Sequence, residues 1–318
     1  MAALRALAAL MLPLGTLGAA HPAPQDPPTG EMQGIPPDAK TRSLMLGELD
    51  SRLTVKVAVG DAGPFNFIID TGAERTVVSR ELAGSLGLAP GVPVQLVSMS
   101  GTEQVNTVVV PGLAIEAIGK RHDILAPALE RSDLGAQGLL GIDTLQDHVV
   151  RIDFDAGTMT VAASQKRRRA PRSDDEIVVT ARSRFGQLIV TDAYFANSRV
   201  EVVIDTGAQV SMGNTAFRNL IGKRKLAVTP IELTSVTGGK LAADYALVPK
   251  MHVGGVRFDQ LPVAFAEVAP FAKFGLTQKP ALLLGMDALR GFRQVEIDFP
   301  NRQVRFRMQK RLSVPRFR

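Results

Sequence analysis

The chain has no cysteine and no tryptophan, and of its 318 residues only two are tyrosine and four histidine. Each absence closes a class of function. Without cysteine there is no disulfide framework, no thiolate metal site and no thiol nucleophile. The compartment stays open, because an oxidising one permits disulfides without requiring them. His21, His122, His148 and His252 are scattered without ligand spacing, so neither metal nor cofactor is expected. Aromatic residues are 5% of the chain, too few to interleave with its basic blocks. Those blocks, "KRRRAPR" (166–172) and the tail 302–318, supply much of the net charge of +6. They read as a solvated linker and tail, and nucleic acid is not expected as a partner.

Long apolar runs are also missing, except at the start. Residues 6–17 are apolar, Arg5 precedes them and Gly18-Ala19-Ala20 follows. That is the form of a signal peptide of about 1–20, too short to span a bilayer comfortably. Export is expected, to the periplasm or the medium. The Pro-rich stretch 21–42 is expected to lack fixed structure.

What remains is rich in Val, Ile, Leu and Thr, in short runs separated by Gly, Pro, Asn and Asp. Many short strands are therefore predicted. The runs occur twice. "FIIDTGAE" (67–74) returns as "VVIDTGAQ" (202–209), an offset of 135 residues, 205 minus 70. Each ends a strand–turn–strand pattern, 53–74 and 188–209. After each acid comes a short helical pattern, 79–88 or 214–222, with Ser79 or Asn214 as N-cap. A hairpin with Gly at its tip follows, 96–110 around Gly101 and 233–248 around Gly238-Gly239. Then come "GLLGIDTLQDHVVRIDF" (138–154) and "ALLLGMDALRGFRQVEIDF" (281–299), each a buried strand, a short helix and a last hairpin. The predicted organisation is a lobe at 43–163, a basic linker at 164–176, a second lobe at 177–308 and a tail at 309–318. One Asp-Thr-Gly should arise by chance about 0.05–0.1 times in a chain this long. Two in matched contexts are a duplication.

A lone acid at the end of a buried strand is most often a turn former or cap. Duplication changes that reading. Two similar β units packed about a pseudo-twofold axis would set Asp70 beside Asp205. Two carboxylates in contact cannot both ionise cheaply, so they share a proton and titrate as a unit. The ionised member can take a proton from water while the protonated one donates to a peptide carbonyl. Gly72 and Gly207 allow a tight turn with backbone N–H groups aimed at the acids. Thr71 and Thr206 are placed to interlock by their hydroxyls across the axis. Asp143 and Asp287, after the Leu-Leu-Gly words, are read as helix caps or ion-pair members.

Asp-Thr-Gly-Ala after an apolar strand, a Gly-tipped hairpin and then Leu-Leu-Gly resembles the retropepsin-like aspartic proteases over nearly all of both halves. The resemblance implies an all-β fold of two β-barrel lobes with a few short helices. It implies Asp70 and Asp205 as the catalytic pair, supported by Thr71, Gly72, Thr206 and Gly207. It also implies flaps that close on an extended polypeptide, at Met99, Ser100 and Gly101 and at Val236, Thr237 and Gly238. With both lobes in one chain, a monomer should suffice. Ala73 and Ala208 stand where pepsin-type enzymes carry a hydroxyl, which should leave the pair's titration higher and activity at mildly acidic to neutral pH. The flap tyrosine and buried tryptophan of the pepsin type are missing, so Met99 or Val236 is expected as an apolar flap tip. The alternatives are an inactive pseudo-protease that binds peptide without cutting it, and an assembly module using open sheet edges.

Overall fold

The computed structural model describes residues 31–32, 53–115, 119–121, 123–164, 176–222 and 226–308. The expected signal peptide, most of the 21–42 stretch, the linker residues 165–175 and the tail 309–318 lie outside the described residues. Within 21–42 one correction is needed: Glu31–Met32 runs parallel to Arg257 and Phe258. The open side of a strand accepts extended backbone whatever its side chains.

In the first lobe, Thr54–Val59 alternates, burying Val55, Val57 and Val59. It pairs antiparallel with Ala62–Ile69. That second strand abandons alternation at its end, where Phe67, Ile68 and Ile69 are all buried. Here the strand lies inside the sheet, parallel to Gly138–Leu140, and with both faces covered it reads as a continuous apolar run. The chain leaves the sheet at Asp70 and returns as Val77–Ser79, antiparallel to the other side of Gly138–Leu140. Ile124–Leu129 then lies parallel to Val77–Ser79. The Leu-Leu-Gly strand is thus inserted between the two segments that flank the acid loop.

The second lobe repeats this. Glu201–Ile204 is parallel to Ala281–Leu284, which is antiparallel to Met212–Gly213, itself parallel to Val256–Phe265. Ser79 and Asn214 cap the helices Arg80–Ser85 and Thr215–Ile221 by accepting from Leu82 N (3.1 Å) and Phe217 N (2.9 Å). One difference stands out. The 188–209 region is broken into Gln187–Val190, Ala193–Phe195, Ser198–Arg199 and Glu201–Ile204. Asp192, a poor strand residue, lies at the break, and Ala193–Phe195 leaves to pair with Lys240–Val253.

The lobes are not free-standing. His148–Asp153 and Thr158–Ala163 form the last hairpin of the first half. The same His148–Asp153 strand pairs antiparallel with Gln294–Asp298 of the second. Gln303–Arg307 and Glu176–Arg184 continue the sheet. One sheet therefore runs through both halves. The apolar core is continuous as well, with Val57, Ile152, Leu284, Ile297 and Phe306 in one buried cluster. Arg151 and Glu296 pair across the seam at 2.7 Å.

Candidate active site

Each acid is fixed by its own strand and aimed by its own loop. Asp70 N donates to Leu140 O and Asp205 N to Leu284 O, both at 3.0 Å. These bonds pin the point where each chain leaves its sheet. Beyond it the loop folds back on the carboxylate. Gly72 N and Ala73 N donate to Asp70 Oδ1 at 2.8 and 3.0 Å. Gly207 N and Ala208 N donate to Asp205 Oδ1 at 3.0 and 3.1 Å. The inward oxygen of each acid is thereby used up.

The two loops meet. Thr71 Oγ1 donates to Ile204 O at 2.7 Å and accepts from Thr206 N at 3.2 Å. Thr206 Oγ1 donates to Ile69 O at 2.7 Å and accepts from Thr71 N at 3.2 Å. The expected hydroxyl–hydroxyl contact is the weakest part, at 3.5 Å. The strong bonds go to the opposite backbone, which locks peptide planes rather than side chains. Both threonines are 2% exposed, so these bonds form away from competing water.

Gly72 and Gly207 are needed for a reason the turn alone does not supply. A Cβ on Gly72 would lie 2.7 Å from Asp205 Cγ, and one on Gly207 would lie 2.2 Å from Asp70 Cγ. Each glycine makes room for the other lobe's acid. The Asp70 carboxyl group thus lies against Gly207 and that of Asp205 against Gly72, which brings the two acids together at the axis. Burial, first, and the neighbouring Asp205 carboxylate, second, push Asp70 up to about 8, against the pull of the Gly72 and Ala73 N–H groups. The upward direction agrees with the missing hydroxyl at Ala73, but desolvation and like charge are the larger causes.

Of the two roles expected for Asp143 and Asp287, helix cap or ion-pair member, the cap is not taken by either. Asp143 accepts from Thr76 N (2.9 Å) and Thr76 Oγ1 (2.7 Å). Thr76 Oγ1 also accepts from Gly141 N at 3.1 Å. Asp287 accepts from Ser211 N (3.0 Å), Ser211 Oγ (2.6 Å) and Ala288 N (2.8 Å), and Ser211 Oγ accepts from Gly285 N at 3.0 Å. Burial pushes Asp287 up to about 6, opposed by those donors and by the Arg290 charge. These networks tie the exit of each acid loop to the Leu-Leu-Gly strand. The signal was present and missed: a hydroxyl residue stands six positions after each acid.

Above the acids is a cleft of about 760 Å³. Its roof is two hairpins, Val94–Ser98 with Gly101–Val105, and Thr229–Thr234 with the start of Lys240–Val253. Their tips cross. Met99 packs on the second-lobe cluster that includes Met212, Phe271 and Phe274. Val236 packs on the first-lobe cluster of Val77, Leu134 and Leu139. Thr237 Oγ1 sits 3.3 Å from both Ser98 Oγ and Ser100 Oγ. Gly101 and Gly238 take φ of 141° and 81° at the turns. Two contacts between lobes had no sequence signal. Gln187 Nε2 donates to Gly72 O at 3.2 Å from a buried position, and Lys273 pairs with Glu74 at 2.8 Å. Among the described residues no group of three or more His, Asp or Glu could hold a metal ion.

Comparison with known proteins divides the chain as its sequence does. The gag-polyprotein aspartyl protease family matches residues 55–147, and the aspartyl protease family matches residues 191–288. Among solved structures, a retropepsin-like aspartic protease from Rickettsia conorii is 22% identical, covering 42% of this chain and 90% of that one, with a TM-score of 0.31. No curated protein matches. Two tandem aspartyl protease matches, each containing one acid loop, on a mostly β fold that brings the loops to one axis, mean that the chain belongs to the retropepsin-like aspartic proteases, in a form with two lobes.

Proposed function

We propose that the protein is an aspartic endopeptidase in which Asp70 and Asp205 hold the attacking water between them. The observation that supports this reading is the meeting of the two acid loops, in which Gly207 lies against the Asp70 carboxyl group and Gly72 against that of Asp205; a proton shared between the two acids is part of the proposal. The ionised member takes a proton from water as its oxygen attacks the peptide carbon. The protonated member gives its proton to the carbonyl oxygen. The gem-diol then collapses: a proton passes to the nitrogen, the C–N bond breaks, and the pair is left with one proton again. The inward oxygens are occupied by backbone donors, which favours the outward ones facing substrate.

The substrate is a polypeptide laid as an extended strand under Met99–Gly101 and Val236–Gly238, held by main-chain hydrogen bonds and apolar pockets. One chain carries both halves of this site, which favours action as a monomer. The test is to incubate the purified protein with an unfolded protein, beside Asp70→Asn and Asp205→Asn. Cleavage lost in both variants supports the enzyme, and the same background in all three supports a peptide binder. A statine-type hydroxyl analogue of the gem-diol should inhibit far more tightly than substrate binds.

A further inference from the structure

The cleft is not charge-symmetric, and the asymmetry lies where a substrate side chain would point. On the first-lobe side Val77, Leu129, Leu134 and Leu139 form an apolar wall, closed by Val236 from the opposite flap. The short helix Arg131–Leu134 brings Asp133 to that wall, where it lines the cleft. Its carboxylate is half-buried against the flap: Oδ2 lies 2.9 Å from where a Cβ on Gly238 would be. Among the described residues Asp133 has no ion-pair partner. Its neighbour Glu130 is engaged by Arg80. The cleft acids Glu74 and Glu232 are engaged by Lys273 and Lys240. Arg75 and Arg290 also line the cleft, but neither is within ion-pair distance of Asp133.

The matching helix of the second lobe, Ala269–Lys273, presents Lys273, already tied to Glu74, followed by the apolar Phe274. That side offers Met212 and Phe274, and beyond the acid pair its cleft carboxylates are held, Glu232 by Lys240 and Asp287 by Ser211.

We infer that the first-lobe side of the cleft selects a basic side chain, lysine or arginine, in the bound polypeptide. An aliphatic wall ending at a carboxylate fits a residue with a long methylene stem and a charged head. The apolar second-lobe side fits an aliphatic or aromatic residue across the scissile bond. This inference rests on the peptidase reading and refines it.

The test uses two uncleavable peptide analogues, alike except for lysine or norleucine beside a hydroxyethylene isostere. Binding to the full chain, to Asp133→Asn and to Asp133→Lys is measured by calorimetry at low salt. The wild type should bind the lysine analogue about tenfold more tightly. The ratio should fall to about one in Asp133→Asn and invert in Asp133→Lys. Equal binding of both analogues by the wild type, or a ratio that survives in Asp133→Asn, overturns the assignment of Asp133 and leaves the peptidase reading standing. If neither analogue binds and no unfolded protein is cleaved, both readings fall together.

Discussion

Replacing Asp70 by Asn should make the protein more stable, and increasingly so as pH rises. Asp70 is pushed from 3.8 up to about 8 in the fold by burial and by Asp205. In the unfolded chain both acids ionise at ordinary carboxylate values. Between about pH 5 and 8 the folded protein therefore holds a proton that the unfolded chain has given up. Stability is complete below the unfolded value and is lost as pH climbs toward the folded one, by about 1.4 kcal/mol per pH unit for one proton. In Asp70→Asn, Asp205 faces a neutral amide, keeps its Gly207 and Ala208 donors, and needs no shared proton. From pH 5 to 7 the variant should gain about 2–3 kcal/mol on the wild type, which opens a gap of roughly 5 °C or more in melting temperature. Asp287, pushed up to about 6, titrates in both proteins and cancels. The assay is thermal or urea unfolding of both at whole pH steps from 5 to 8. Parallel curves over that range would refute the shared proton and the mechanism built on it.

Three further outcomes are expected. Thr71→Val keeps the shape but leaves Ile204 O and Thr206 N unpaired in a buried place, at a cost of about 2–4 kcal/mol; Thr71→Ser should cost about 1 kcal/mol, and equal losses in urea melts would mean that the hydroxyl bonds matter little. Gly207→Ala puts a Cβ against the Asp70 carboxyl, so hydrolysis of an unfolded protein should fall at least about a hundredfold and the pH dependence of stability should flatten toward that of Asp70→Asn; retained turnover would show that the acids have slack. Lys273→Met breaks a half-exposed pair between the lobes and should cost less than about 1 kcal/mol, so a larger loss in the same melts would give that bridge a structural weight the geometry does not.

Much of the framework was legible because duplication exposes it. The acid loops, the caps at Ser79 and Asn214 and the Gly-tipped hairpins each occur twice, and a feature that recurs in register is unlikely to be local accident. Thr76 and Ser211 were equally visible, at the same distance from each acid, but a hydroxyl residue in a β-rich stretch reads as strand propensity. The pairing of His148–Asp153 with Gln294–Asp298 was not legible. Alternation identifies a strand and its buried face, not which distant edge it joins. Gln187, Lys273 and Asp133 were invisible for a related reason: each acts at a junction of the lobes, and none has a counterpart in the other half to mark it. The glycines were found for turn geometry, although crowding by the opposite acid is the tighter constraint.

The sheet that joins the last hairpins of the two halves limits how the molecule can open. With that seam behind the acids and the threonine lock beneath them, the barrels cannot swing apart like jaws around a bulky guest. Room has to come from the crossing fingers overhead. On the proposed function, a target would have to bring a loose, unravelled length of chain to the opening, and a tightly folded domain would have to surrender one before it could be cut.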